Sequence, residues 1–350
     1  MIDIQKLLRP NIRKLKPYSS ARDEYSGQEG IFLDANENTL GTLEKGVLNR
    51  YPDPYQRQLK QELQTIYNVD PTNLFLGNGS DEALDLLIRA FCTPQKDKLL
   101  IMPPTYGMYS VAANINNVEI QKVPLSKDFQ IQTKKVLQNV SDQTKIIMIC
   151  SPNNPTANIF DPESIQKLLH RFKGIVVLDE AYVDFTKKQN GLEWLTDHKN
   201  LVVLRTFSKA WGMANIRLGM AFANQEIIEV LNKIKYPYNV NGLTIRKAQE
   251  LLQKKSIKEQ AVSTIIQERE KLKVALEKIE GIKTVFPSEA NFLLARFKNA
   301  RQLFEYLRDR NIIIRDRTRE KHCQGCLRIT IGTPEENIRL IEEINNFYNK

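Results

Sequence analysis

The sequence predicts an α/β protein in two parts: a large unit built on a mainly parallel, helix-covered sheet, and a smaller α+β unit formed by the N-terminal segment and the C-terminal third. Three observations predict it. From about residue 84 to 223, short apolar runs alternate with helix-compatible segments, the pattern of strands buried on both faces. Beyond Ala223 this alternation gives way to a long charged stretch and then a compact mixture of strands and helices. Finally, the 350 residues exceed the roughly 250 to 300 at which one hydrophobic core stops growing. The expected divisions are 1–50 for an arm and part of the small unit, 51–243 for the large unit, and 244–350 for a connecting helix and the rest of the small unit.

The elements follow in order. Residues 10–22 carry too little apolar periodicity to pack alone and read as an arm laid across something else. Ile31-Phe32-Leu33 reads as a short strand ending in polar Asp34 to Asn38, and Arg50-Tyr51-Pro52-Asp53-Pro54 punctuates the chain before a helix over 55–67. Gly77-Asn78-Gly79-Ser80-Asp81-Glu82 reads as a turn feeding a helix, because Leu84, Leu87, Ile88 and Phe91 fall on one helical face. Strands are expected at Leu99–Met102, Val118–Val123, Ile146–Cys150, Ile175–Leu178 and Leu201–Leu204. Further on, helices are expected over 226–235, 244–279 with a break near Ser256, 301–310 and from Pro334. Strands fall between them at 291–296, 311–315 and 326–331.

Charge and cysteine content narrow the function. Fifty-one basic residues against 41 acidic ones give a net charge of +10, which suits small phosphorylated or carboxylated ligands. Without a long basic block, zinc-finger spacing or RNA-binding signature, nucleic acid is not the expected partner. No uncharged run of about 18 apolar residues predicts a membrane span, and the start lacks the pattern of a secretory signal. Four cysteines are too few for a disulfide scaffold. Cys323-x-x-Cys326 after His322 raises metal or redox use, but a zinc site would need Cys92 or Cys150 from far away. A reduced, cytoplasmic, metal-free protein is the simpler expectation.

Strand ends deliver a particular set of groups: Tyr106 after the first strand of the alternation, Asn154 after Ile146–Cys150, Asp179 with Tyr182 after Ile175–Leu178, and Lys209 after Leu201–Leu204. Ligands of open α/β sheets bind beyond the carboxyl ends of strands, so these groups are expected to share one crevice. Arg217, eight positions beyond Lys209, is a fixed cation that lowers the lysine's proton affinity and makes a better amine nucleophile. Ala210, Gly212 and Ala214 leave room for a flat ligand.

A nucleophilic lysine, a buried carboxylate, a phosphate cradle and an aromatic plate together describe what pyridoxal phosphate needs. Asp179 would keep the ring nitrogen protonated, Asn154 and Tyr182 would serve the ring oxygen, and Tyr106 would stack. The phosphate would take the N–H groups of Ser80 and Asp81, the hydroxyls of Thr206 and Ser208, and Arg217. Taken singly, Ser80 and Asp81 read equally as helix caps, Asp179 as a cap, Asn154 as a turn residue and Tyr106 as core. Their shared position at strand ends is what the single explanations leave out.

Motifs spread along nearly the whole chain resemble a known family: Lys16-Pro17-Tyr18-Ser19-Ser20-Ala21-Arg22, Asn36-Glu37-Asn38, Arg50-Tyr51-Pro52, the 77–82 turn, Pro103-Pro104-Thr105-Tyr106-Gly107-Met108-Tyr109, Ser151-Pro152-Asn153-Asn154-Pro155-Thr156, Asp179-Glu180-Ala181-Tyr182, the run Thr206 to Gly219, and Gly325-Cys326-Leu327-Arg328-Ile329-Thr330. In this order they resemble the aspartate aminotransferase superfamily, the fold type I pyridoxal phosphate enzymes, and in finer detail the histidinol-phosphate aminotransferases. The resemblance implies transfer of an amino group between L-histidinol phosphate and 2-oxoglutarate in histidine biosynthesis. It implies Lys209 as cofactor anchor and proton carrier, with Asp179 and Tyr182 as its catalytic companions. It implies a homodimer in which Tyr51 reaches the neighbouring subunit's cofactor phosphate. Arg328 resembles the carboxylate clamp and Arg315 the phosphate-end arginine, helped by Tyr18, with Asn36 and Asn154 also at the substrate; read alone, Arg328 is equally a rim residue of an edge strand.

Three residues depart from the family pattern: Thr39 for a proline, Ala157 for a glycine and Asn215 for a glycine. Ala157 requires a negative φ to be tolerated, and Asn215 suits a left-handed position. Two other reactions fit the same scaffold, threonine-phosphate decarboxylation and aromatic amino-acid transamination. A cofactor-binding transcription regulator would need an added DNA-binding domain, which motifs starting within the first 20 residues do not predict.

Overall fold

The computed structural model describes residues 2–18, 30–41 and 48–349. Ser19 to Arg22 of the expected arm lie outside these. A seven-stranded sheet is built from β1 (Leu74–Asn78), β2 (Lys98–Ile101), β3 (Glu119–Lys122), β4 (Thr144–Cys150), β5 (Ile175–Asp179), β6 (Leu201–Thr206) and β7 (Leu218–Ala223). Its order is β1-β7-β6-β5-β4-β2-β3. All ladders from β6 through β3 are parallel, whereas β7 runs antiparallel to both β6 and β1.

Side chains alternate strictly between the two faces. Ile147, Ile149, Val176, Leu178 and Val203 enter one core, while Ile146, Met148, Val177, Val202 and Leu204 enter the other. Helices cover both layers, which is why the central strands read as unbroken apolar runs. The expected face of the helix after β1 (Ser80–Phe91, α3 here) is buried as predicted at Leu84, Leu87, Ile88 and Phe91. Two short helices open the chain, Ile4–Leu7 (α1 here) and Pro10–Lys14, and the helix Arg57–Tyr67 (α2 here) follows before β1.

A second, four-stranded antiparallel sheet holds β8 (Ile282–Val285), β9 (Phe292–Phe297), β10 (Arg315–Asp316) and β11 (Cys326–Thr330), in the order β10-β11-β9-β8. The long helical stretch is two helices, Gly242–Leu252 and Lys255–Glu277, broken close to the expected place. From the second of these, Arg269 donates to Ala290 O at 3.0 Å and to Phe185 O at 3.4 Å, tying the two sheets' surroundings together. Beside it, Tyr182, Phe185 and Ala210 pack against Ala290 and Phe292.

Several expectations need correction. The N-terminal segment was expected in the small unit, but Ile4 and Leu8 are buried with Phe75, Leu84 and Phe91 of the large one. Arg9 N–H also bonds to Ala90 O at 3.0 Å. Two well-spaced apolar side chains suffice when a receptive face is already formed. Ile31 and Leu33 are 91% and 79% exposed and form no strand. Residues 311–315 pair only at Arg315, because left-handed Asn311 ends the preceding helix and turns the chain. Strands β1, β7 and β8 were not expected. In β7, Gly219 hides the strand signal and is there for space: a Cβ would lie 2.0 Å from Ser80 N and 2.2 Å from Gly79 C.

Gly212, by contrast, has nothing within 4 Å of a would-be Cβ, and its φ of +65° by itself favours glycine. Gly219→Ala should cost at least about 3 kcal/mol, because backbone rather than a flexible side chain must yield. Gly212→Ala should cost about 1 to 2 kcal/mol from left-handed strain alone. Urea unfolding of both variants checks the order; equal losses would contradict it.

Candidate active site

The parallel strands β2, β4, β5 and β6 end along one edge, and a pocket of about 110 Å³ opens there. It gathers Ser80, Asp81, Tyr106, Asp179, Tyr182, Thr206, Ser208, Lys209 and Arg217, together with Gly79, Cys150 and Ala181. Strand ends separated by more than 100 residues thus meet as the α/β rule requires.

One side of the pocket is a helix N-terminus. Ser80 and Asp81 are the first residues of α3 itself, the residue before them is Gly79 at φ +72°, and no side chain caps the helix. The capping alternative for Ser80 and Asp81 therefore does not hold, and their N–H groups remain for an anion. Arg217 lies over Gly79, where a Cβ would meet Nη2 at 2.8 Å. Gly79 N–H in turn bonds Arg217 O at 2.6 Å. Thr206 Oγ1 accepts from Ser208 N–H at 3.0 Å, which folds the turn so that both hydroxyls border the pocket.

Opposite lies Asp179, 4% exposed at the end of β5. Its Oδ2 accepts from Tyr109 Oη at 2.7 Å and its Oδ1 from Ala181 N–H at 3.1 Å. Burial raises its pKa to about 6, with those two bonds and nearby Lys209 pulling the other way. Among the described residues it has no ion-pair partner. Its neighbour Glu180 is also buried, but is met by Arg205 at 2.7 Å and by Gly191 N–H at 2.7 Å. Sequence reasoning missed Tyr109. The signal was its position three residues after Tyr106, which lets the two rings meet edge to face at 5.4 Å.

Lys209 Nζ lies 5.6 Å from the centre of the Tyr182 ring. Burial, then Arg328, lower its proton affinity; Arg217, the expected cause, follows these two, and Asp179 opposes them. Arg328 comes from the small sheet. Its Nη1 donates to Asn154 Oδ1 at 2.5 Å, and Asn154 Nδ2 donates to Tyr182 Oη at 3.3 Å. The Arg328 guanidinium lies over Phe292 at 5.2 Å, and its Nε is buried without a partner. It therefore projects from the small sheet into the site rather than lying along the rim.

Other expected residues lie apart. Tyr18 is 76% exposed. Asn36 and Tyr51 line a different cleft of about 570 Å³ with Arg50, Tyr238 and Arg246, and Tyr51 stacks on Tyr238 at 4.4 Å. Arg315 is exposed, paired in register with Arg328. Ala157 takes φ +65°, against the expected negative value. That strain, roughly 1 to 2 kcal/mol, is offset by a fully buried methyl and by its carbonyl accepting from Glu289 N–H at 2.8 Å. Asn215 sits inside a 3₁₀ turn, and Arg217 takes the left-handed conformation instead. Thr39 lies in a turn closed by Gly41 N–H to Asn38 O.

The donor set fits a planar, phosphorylated, basic heterocycle. Uncapped N–H groups and a guanidinium suit a phosphate, a carboxylate lacking a cation suits a protonated ring nitrogen, and Tyr106 offers an aromatic plate. The described residues include no group of three or more metal-ligating side chains.

Comparison with known proteins agrees with this geometry. The family model "Aminotransferase class I and II" matches residues 23–344. A curated histidinol-phosphate aminotransferase of Cytophaga hutchinsonii is 50% identical over 344 residues, covering 98% of this chain and 99% of that protein. The structure of the histidinol-phosphate aminotransferase from Clostridium acetobutylicum superposes with a TM-score of 0.80 at 25% identity, over 86% of this chain and 91% of that one. The Sinorhizobium meliloti histidinol-phosphate aminotransferase, solved in complex with pyridoxal-5'-phosphate, shares the fold with a TM-score of 0.79 at 21% identity and 90% coverage of both chains. An uncapped helix start, a buried carboxylate and a lysine at the ends of β1, β5 and β6 thus have their explanation in descent: the chain belongs to the class I and II aminotransferases, among the histidinol-phosphate aminotransferases.

Proposed function

We propose that the protein transfers the amino group between L-histidinol phosphate and 2-oxoglutarate, with pyridoxal phosphate as cofactor. The observation that carries the reading is one pocket holding the Lys209 amine and the buried Asp179 carboxylate, with the Arg328 guanidinium linked through Asn154 to Tyr182 of its lining and lowering the proton affinity of Lys209. When bound, the cofactor withdraws electrons from the substrate's α-carbon. Ser80 and Asp81 N–H groups, Thr206, Ser208 and Arg217 hold its phosphate. Tyr106 packs on its ring, Asn154 and Tyr182 serve the ring oxygen, and Lys209 anchors it.

Asp179 keeps a proton on the ring nitrogen, and Tyr109 fixes the carboxylate from behind. Lys209, its proton affinity depressed, carries the proton to and from the substrate α-carbon. Arg328 binds the substrate carboxylate bidentately, a task for which the guanidinium fork is suited. Arg315, with Tyr18, takes the phosphate end of the imidazole substrate, and Asn36 is assigned to substrate binding from the Tyr51 cleft.

A homodimer completes this arrangement. Tyr51 stands outside its own chain's pocket, and Leu48, Tyr51 and Leu243 of its cleft are 51%, 51% and 60% exposed. Such apolar surface is suited to burial by a second copy, whose cofactor phosphate Tyr51 then reaches. The division into an arm (1–50), a large unit (51–243) and a small unit (244–350) follows the two sheets, with the arm's first turns docked on the large one. We place the enzyme in the cytoplasm; no described helix is long and apolar enough to cross a membrane.

Glutamate formation from histidinol phosphate, phenylalanine and threonine phosphate, assayed side by side with carbon dioxide release, tests the substrate. Histidinol phosphate should lead by tenfold or more, roughly the worth of one charge-assisted contact; equal rates with phenylalanine, or carbon dioxide from threonine phosphate, would replace the assignment. The anchor is tested by borohydride, which should fix the yellow chromophore to Lys209 and leave Lys209→Ala colourless after dialysis.

Asp179 supplies a pH signature in cofactor-free protein. Its folded pKa lies above the unfolded value, so the folded state binds more protons between about pH 4 and 6 and stability falls as pH rises through that window. The cost by neutral pH is on the order of 3 kcal/mol. Cofactor-free Asp179→Asn should therefore unfold at higher urea than the parent at pH 8 and at nearly the same urea near pH 4. A variant less stable at pH 8 contradicts the assignment of a partnerless carboxylate.

A further inference from the structure

Cys323-Gln324-Gly325-Cys326 takes no part in the reaction above, yet its geometry is that of a dithiol able to close. Cys326 N–H donates to Cys323 O at 2.9 Å, and Gly325 takes φ +73°. This is a β-turn with glycine at its left-handed third position, which brings the end Cα atoms within about 7 Å. Disulfides span Cα separations of about 4.4–6.8 Å. Both thiols are fully buried and share a hydrogen bond with one another, so they face the same space.

A second observation concerns Arg296. It stands opposite Cys326 in the β9–β11 ladder, and residues directly opposite in an antiparallel pair project to the same face. Its Nη2 donates to His322 O at 2.8 Å, while its Nε is buried without a partner. A guanidinium N–H lacking an acceptor beside two thiols favours a thiolate. Accordingly, the bond from Cys323 and then Arg296 hold Cys326 below the ordinary thiol range, and the same bond with burial raises Cys323. The remaining thiols are inert by comparison: burial pushes Cys92 up to about 12 and raises Cys150 as well.

We propose that Cys323 and Cys326 form a thiol–disulfide exchange site for low-molecular-weight disulfides. The Cys326 thiolate attacks one sulfur of the small disulfide, forming a mixed disulfide and expelling one thiolate. Cys323 then gives up its proton and attacks the Cys326 sulfur, forming the intrachain bond and expelling the second thiolate. The chain loses two electrons and two protons; the small disulfide gains them as two thiols. Exchange proceeds by local opening of the turn at 317–325, whose Arg319, Lys321 and Gln324 are exposed.

The site also bears on catalysis, a consequence that rests on the reading of Arg328 as carboxylate clamp. Cys326 and Arg328 lie two residues apart on β11, hence on one face. Drawing Cys326 towards Cys323 shifts the strand that seats Arg328 against Asn154, so the intrachain bond raises KM for 2-oxoglutarate.

The test exposes folded holoenzyme to oxidised glutathione and follows all four cysteines by peptide mass spectrometry, with Cys92 and Cys150 as buried controls. The 323–326 disulfide should accumulate about tenfold or more faster than either control reacts, since local opening is easier than global unfolding. Cys323→Ser should trap glutathione on Cys326, Arg296→Gln should slow the exchange, and Arg296→Lys should restore it. Reaction of all four cysteines together, at the rate of global unfolding, would overturn the site. KM for 2-oxoglutarate should rise with the oxidised fraction and return on reduction; an unchanged KM with the disulfide formed would overturn the link to Arg328 alone.

Discussion

The structure turns on a buried carboxylate that the protein declines to neutralise. Asp179 ends the central strand β5, is almost wholly out of water, and receives two hydrogen bonds but, among the described residues, no ion-pair partner. Burial of that kind is unfavourable for the charged form. It is tolerable in a protein whose partner cation arrives with a ligand, and the surrounding pocket is arranged for one. Tyr109, fully buried at Asp179's back, holds the carboxylate in one orientation. The fold thus supplies orientation and leaves the counter-charge to what binds.

At the other end of the pocket the constraint is steric. β7 runs so close to the start of α3 that only glycine fits at position 219, and Gly79 leaves space for the Arg217 guanidinium. Close approach keeps the helix N-terminus uncapped and its N–H groups facing the pocket. The antiparallel insertion of β7 between β1 and β6 is what brings Arg217 back to this point. A parallel strand there would have delivered the arginine to the opposite edge of the sheet.

The two sheets meet across a small number of side chains. Arg328 reaches from β11 to Asn154, and Asn154 reaches Tyr182, so a guanidinium of one sheet is held by side chains at the pocket of the other. Ala157, Tyr182 and Phe292 fill the space behind this chain, which accounts for the tolerated left-handed backbone at Ala157. Arg328 also helps to depress the proton affinity of Lys209. One guanidinium of the small sheet thus bears on the reactivity of an amine at the large one.

Much of this was legible in the residues themselves. Apolar runs bounded by turn residues located the central strands, and the polar groups just after them marked the pocket edge, because strand direction in a parallel sheet fixes where those groups emerge. β7 with its Gly219, β1 and the exposed 31–33 segment were misread, since local pattern carries no record of which backbone passes close by. Nor could the sequence separate Asp179 from Glu180, two acids side by side. Strand alternation sends them to opposite faces, where Glu180 finds Arg205 and Asp179 finds only neutral donors. That difference, which makes one a structural ion pair and the other a site, depends on long-range neighbours, and only the tertiary structure decided it.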